Sequence, residues 1–246
     1  MKKLVMLVVA LSIVTMLAAC GNNSDSGSSS DAGKKSGDQN KTEQQAKQAQ
    51  DKDVKISDDE KVNKDDVVVQ VNDTKIKGDQ YNNIYAQTKV AMNQFGEDVS
   101  DKDKLKEQAI NVLVQQELLK QDAKKQGIDI SGEKVQSEFE KIKAENEDQF
   151  AAVLEQYQLS EQAYKDQLAF ELTVDEYINK EITGTDVTDK EIKSYYDKLK
   201  EQSKDIPELK KVKEQIKDEL TKQKENEKLQ AKINELKKDA EIKNLI

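Results

Sequence analysis

Helical periodicity is the feature that most limits what this chain can fold into. After Asp79, apolar residues recur at steps of three and four, which places them on one stripe of a helix. The first such stripe comprises Tyr81, Ile84, Tyr85, Thr88, Met92 and Phe95. We expect this helix to end before Gly96, and the same period continues through most of the remaining chain. The sequence therefore predicts a mainly α-helical protein.

Start and stop signals divide the rest of the chain into six further helices. Ser131 and Ser160 are typical N-caps, Thr188 to Glu191 fits a capping box, and Gly127 is a typical stop residue. Pro207, the only proline, is expected at the first position of the last helix. The predicted spans are 100–126, a helix opening at Ser131, 150–157, 160–182, a helix opening at Thr188, and 207–240.

The last predicted helix changes its apolar face midway. Its first half carries Leu209, Val212, Ile216 and Leu220, and its second half carries Leu229, Ile233, Leu236 and Ala240 on a rotated face. One continuous helix that packs on two different bodies would give this pattern. A helix broken near residues 224–226 would give it as well, so both interpretations stay open.

Two short β-type segments stand at opposite ends of the predicted folded region. Val67–Val71 is β-branched and is followed by Asn72, Asp73 and a second short run, residues 74–76, which predicts a hairpin. Residues 240–246 alternate like a strand. We expect the two ends of the chain to form one small β-patch, with the helices between them as a discontinuous domain.

Composition excludes several classes of function. The chain has no His, one Cys and 40 basic residues, all of them lysine. Ser-His and Cys-His nucleophile pairs are therefore excluded, and neither a metal site nor a cofactor is expected. The formal net charge is −9, and an acidic chain without Arg is a poor ligand for nucleic acid.

The N-terminus predicts a secreted and lipid-anchored protein. Lys2 and Lys3 precede an apolar run that ends in Leu-Ala-Ala-Cys at Cys20, and this string resembles the lipobox of bacterial lipoproteins. The resemblance implies a cleaved signal peptide over residues 1–19 and lipid attachment at Cys20. Residues 20–60 are mostly polar and are expected to be a flexible linker. We expect the protein on the outer face of the cell membrane, in a low-GC Gram-positive bacterium.

The elements between residue 61 and the C-terminus resemble the helical chaperone module of PrsA/SurA-like foldases. The strings that carry the resemblance are Leu-Ser-Glu-Gln-Ala-Tyr from Leu159 and Val-Thr-Asp-Lys-Glu-Ile from Val187. The resemblance implies one domain, 61–246, in which residues 186–246 return to close the part formed by residues 61–185. It also implies an inserted parvulin prolyl isomerase domain before Pro207. The short connection there and the absence of His depart from that pattern.

We therefore expect a membrane-anchored extracytoplasmic chaperone that binds unfolded, newly exported polypeptides and has no isomerase or other enzymatic activity. An accessory lipoprotein that binds one dedicated envelope partner is the alternative, and a homodimer is left open.

The apolar arc of the fifth helix, 160–182, is about twice as wide as usual. Either it is buried between two partners, or part of it faces clients. In the second case we expect Phe150, Tyr157 and Tyr164 to be partly exposed client contacts, with Leu168 and Leu172 in the core.

Overall fold

A computed structural model describes residues 54–157, 159–203 and 205–246. Within these ranges the chain forms a 3₁₀ turn at Asp58–Glu60, seven α-helices and three short strands. The strands are β1 (Val67–Val71), β2 (Thr74–Lys77) and β3 (Ile242–Asn244). The helices are α1 (Gly78–Gln94), α2 (Lys102–Lys125), α3 (Gly132–Glu145), α4 (Glu147–Gln156), α5 (Glu161–Glu181), α6 (Asp189–Gln202) and α7 (Leu209–Asp239). The predicted helical fold with a small β-patch is confirmed.

Both ends of the described chain meet in one antiparallel sheet of order β2-β1-β3. The predicted hairpin joins β1 to β2, with Val71 opposite Thr74, and Asn72 in the turn adopts a φ of 54°. On its other edge β1 pairs with β3, where Val71 lies opposite Ile242. The central strand therefore depends on the C-terminal residues for one of its two neighbours.

Local signals end and begin the helices largely as predicted. Ser131, Ser160 and Thr188 each accept a backbone N–H in the first turn of the following helix. Gly127 has a φ of +72° just after α2, a conformation that glycine adopts without steric cost. The prediction for Pro207 is wrong, because the N-cap of α7 is Glu208 and the proline lies one residue before it.

The prediction for the apolar stripe of the first helix is also wrong at its C-terminal end, at Phe95. α1 ends at Gln94, so Phe95 lies beyond the helix and is 69% exposed instead of continuing the buried face. The physical reason is the turn that follows, in which Gly96 has a φ of +74° and the chain reverses toward α2. Phe95 is therefore displayed at the tip of the α1–α2 hairpin.

Four clusters of buried apolar side chains hold the elements together. The first joins β1, β2, α1 and α2, and the second joins α3, α4 and α5 with Val90 of α1. The third lies between α2, α5 and the second half of α7, and the fourth lies between α6 and the first half of α7. Residues 186–246 thus return onto the N-terminal part through α7 and β3.

α7 is one unbroken helix of 31 residues, about 46 Å long at the usual rise per residue. Ile216 in its first half is buried against α6, whereas Leu229 and Ile233 in its second half are buried in the cluster with α2 and α5. The predicted change of buried face is confirmed. The alternative of a break near residues 224–226 is wrong.

Candidate functional site

The candidate site predicted from the sequence is centred on helix α5. This helix packs against neighbours on two sides. Tyr164 and Leu168 lie in the cluster with α3 and α4, whereas Val174 and Tyr177 lie in the cluster with α2 and α7. The wide apolar arc predicted from the sequence therefore corresponds to burial between two sets of partners. Leu168 is in the core as expected, and Leu172 packs partly buried against the same cluster.

On the first side, three aromatic rings pack edge to face. The ring centroids of Phe150 and Tyr164 are 5.2 Å apart, those of Phe139 and Phe150 are 5.6 Å apart, and those of Phe139 and Tyr164 are 6.0 Å apart. Such pairs add stabilisation beyond the area that they bury. Burial also raises the pKa of the Tyr164 hydroxyl to about 12.

The expected partial exposure of Phe150, Tyr157 and Tyr164 is wrong. Their exposed fractions are 3%, 6% and 6%, because α3 and α4 fold over this side of α5. The Tyr157 hydroxyl accepts a hydrogen bond from Gln94 Nε2 at 3.2 Å, which ties this ring to the end of α1. The structure brings the three residues into one cluster, but they belong to its core. A client could reach them only if α3 and α4 moved away.

On the second side, a buried hydrogen bond joins α5 to α2. The Tyr177 hydroxyl donates to Asp122 Oδ2 at 2.5 Å, and both residues are buried. Burial and the Asp122 carboxylate both raise the pKa of this tyrosine. Near the same interface, Lys120 Nζ lies 5.5 Å from the centroid of the Phe170 ring, and both side chains remain partly exposed.

The connection between α5 and α6 is held against α7 by lysines. Lys224 Nζ donates to Asp186 O at 2.6 Å and forms an ion pair with Glu191 Oε1 at 2.8 Å. Lys228 Nζ donates to Thr183 O. These contacts fix the path by which the chain leaves α5, and an open cleft of about 460 Å³ lies beside them, lined by Tyr177, Glu181 and Lys232 among others.

The segment before β1 carries a buried network that the sequence analysis missed. Glu60 is 7% exposed, its Oε2 accepts hydrogen bonds from Ser57, and its Oε1 accepts one from the Tyr85 hydroxyl at 2.9 Å. The expected linker boundary at residue 60 is therefore wrong for residues 56–60, since Ile56 also packs against the first cluster. The Ser57-Asp58-Asp59-Glu60 string is a capping-box pattern, and this signal could have revealed the turn.

The remaining predictions concern the N-terminus, metal binding and membrane association. Cys20 and the proposed signal peptide, residues 1–19, are outside the described residues. In the part of the chain that the structure describes, no group of three or more His, Cys, Asp or Glu side chains could hold a metal ion. None of the helices described there is long and apolar enough to cross a membrane.

Comparison with known proteins places this fold in a family. The model of the SurA-like N-terminal domain matches residues 1–178, and the chain therefore belongs to the SurA-like N-terminal domain family. The resemblance to PrsA/SurA-like foldases noted in the sequence is confirmed.

Two curated relatives carry the name PrsA. The chain is 33% identical over 147 residues to the foldase protein PrsA of Caldanaerobacter subterraneus subsp. tengcongensis. This alignment covers 55% of this chain and 44% of that protein. It is 40% identical over 74 residues to the foldase protein PrsA 2 of Bacillus cereus. This second alignment covers 30% of this chain and 26% of that protein. The alignments thus span less than half the length of either relative.

Proposed function

We propose that this protein is a lipid-anchored extracytoplasmic chaperone that binds unfolded, exported polypeptides and does not isomerise prolyl bonds. The observation that carries the proposal is the family match over residues 1–178 together with the similarity to two proteins named as foldases. Residues 61–246 would act as one chaperone domain, with residues 186–246 returning to close it.

The absence of isomerase activity is supported by the connection between α6 and α7. Only six residues, 203–208, join these helices, which pack on each other through Ile192, Tyr196 and Ile216. This stretch is far shorter than the roughly 50 residues of the smallest usual domain. The sequence also contains no His, which the parvulin resemblance would require.

Membrane anchoring is supported by the sequence around Cys20. The Leu-Ala-Ala-Cys string follows an apolar run with two lysines before it, as in lipoprotein precursors. Two acyl chains would give stable attachment, at about 0.8 kcal/mol per buried CH₂ group.

The test is a pair of assays on the full chain purified from membranes in mild detergent. We expect it to suppress light scattering by a chemically denatured secreted protein and to leave the rate of prolyl isomerisation in a proline-containing peptide unchanged. Acceleration of isomerisation would contradict the proposal. If neither activity is found, the chain is instead an accessory lipoprotein with one dedicated partner.

A further inference from the structure

Residues 54–56 lie against helix α1 without forming a helix or a strand, and they contact two of the four apolar clusters. Val54 packs against the cluster of α3, α4 and α5, whereas Ile56 packs against the cluster of β1, β2, α1 and α2. Both side chains are partly buried, and Lys55 between them is exposed. This alternation is typical of an extended chain. We call residues 54–56 the strap.

The strap is also held through its main chain. Lys89 Nζ on α1 donates to the backbone oxygen of Lys55 at 3.0 Å, and Lys89 is 9% exposed. Every residue type offers such an oxygen, so this contact is independent of sequence. The surface under the strap thus binds an extended segment by one carbonyl and by two apolar side chains that stand two residues apart.

The strap can leave this surface without undoing the turn that follows it. Ser57 N and Ser57 Oγ donate to Glu60 Oε2 at 2.8 and 2.5 Å, so the turn is closed by its own side chains. When the Lys55 carbonyl leaves, Lys89 Nζ keeps Glu60 Oε1 as its counter-ion. Release of the strap would therefore make one N–H donor of Lys89 available and leave no buried charge unpaired.

We propose that the strap covers a client-binding surface in cis, and that an unfolded polypeptide segment with apolar side chains at positions i and i+2 displaces it. The client would place one carbonyl on Lys89 Nζ and its two apolar side chains where Val54 and Ile56 lie. Because the strap belongs to the same chain, it competes at a high effective concentration and keeps weakly binding segments off the surface. This inference rests on the proposed function and names the surface that would hold the client.

The test measures binding of a fluorescein-labelled, end-blocked probe peptide, Gly-Ser-Val-Lys-Ile-Ser-Gly, to the full chain by anisotropy. The variant that carries Val54→Ser and Ile56→Ser weakens the strap but leaves the surface on α1 intact. We expect its Kd for the probe to be about tenfold lower than that of the unmodified protein, the scale of lost packing of two half-buried apolar side chains. It should also suppress aggregation at a lower concentration. A second peptide, with serine in place of Val and Ile, should bind neither protein.

Val99→Ser combined with Ile130→Ser is the matched control. Val99 and Ile130 are also partly buried and pack against the same two clusters, but neither belongs to the strap. This variant should bind the probe like the unmodified protein, because it loosens the same clusters without uncovering the surface. Thermal melts by circular dichroism identify the folded variants. If the double strap variant melts early, Ile56→Ser alone takes its place, with an expected decrease in Kd of about threefold.

An equal Kd for the unmodified protein and the folded strap variant overturns the inference. An equal gain in the control variant overturns it as well, since general loosening would then explain the binding. Equal binding of the two peptides overturns the choice of an apolar segment as the client. If the unmodified protein suppresses aggregation and the strap variant does so no better, only this inference fails. If neither protein binds the probe or suppresses aggregation, the proposed function fails with it.

Discussion

Lys89 Nζ donates to Glu60 Oε1 at 2.5 Å, and both residues are buried. The bond joins the segment before β1 to the middle of α1, and Lys89 Nζ also donates to Lys55 O at 3.0 Å. Burial alone would raise the pKa of Glu60, but the hydrogen bonds from Lys89, Ser57 and Tyr85 outweigh it and hold the pKa at about 2. The ionised carboxylate is thus the form that the fold stabilises.

Glu60→Gln should destabilise the protein by about 3 kcal/mol, since it leaves Lys89 as a buried charge without its counter-ion. The contribution of Glu60 is present above its ordinary pKa of 4.5 and is lost as the pH falls toward about 2. Urea melts across this window should therefore show a steeper loss of stability for the unmodified protein than for the variant. Asp58→Asn is the control, because its pair with Lys61 is exposed and should contribute under about 1 kcal/mol. Equal effects of the two substitutions would contradict the prediction.

The contribution of Glu171 to folding stability should depend on pH in the opposite direction to that of Glu60. Burial raises its pKa to about 7, although Gln167 Nε2 donates to its carboxylate at 3.2 Å. Because the folded state then holds the proton more tightly than the unfolded state, stability should rise as the pH falls from about 7 to about 4.5. Glu171→Gln should flatten the curve in this range. Glu176→Gln, which removes a partner of Lys180 on the same helix, should leave the slope unchanged, and a slope retained in Glu171→Gln would refute the assignment.

Deletion of residues 241–246 should destabilise the protein out of proportion to its length, by about 2 kcal/mol or more. It removes β3, the hydrogen bond from Leu245 N to Val68 O, and the packing of Ile242 and Ile246 on the first cluster. The remaining two-stranded hairpin would be marginal. Leu245→Ser is the control, because this side chain is 52% exposed. A shift in urea melts below about 0.5 kcal/mol for the deletion would show that the two ends do not depend on each other.

Phe150→Ala should cost about 3–5 kcal/mol in unfolding free energy, the usual loss for a buried aromatic that leaves a cavity. Phe150 is 3% exposed and contacts two other rings. Phe95→Ala serves as the matched control at 69% exposure and should change stability by about 0.5 kcal/mol or less. Similar melts for the two variants would argue against a closed aromatic cluster.

If the proposed lipid anchor is present, Cys20→Ser should release the protein from membranes without unfolding its helices, since the acyl chains would supply the attachment. Fractionation followed by circular dichroism of the soluble variant measures both outcomes. A variant that still sediments with membranes would contradict the lipoprotein interpretation.

The sequence was a good guide wherever a local signal decided the structure. Capping residues such as Ser160 and the glycine at 127 mark the ends of helices because backbone hydrogen bonding is settled within a few residues. Exposure was harder to predict. A wide apolar arc on α5 shows that two sides are covered, but only the path of α3 and α4 decides that Phe150 is covered and Phe170 is partly open. The Glu60–Lys89 contact was missed for the same reason, since it joins residues from separate segments.

The position of β1 between β2 and β3 has a consequence for the protein while it is being synthesised. Its hairpin partner follows at once, but its other partner, β3, follows only after helices α1 to α7. Contacts between such distant segments are slow to form because a long loop must close first. Until β3 has been synthesised, β1 has an unpaired edge, which is a template for pairing with other chains. A nascent chain that has not yet reached β3, or a copy truncated before it, is thus itself prone to aggregation.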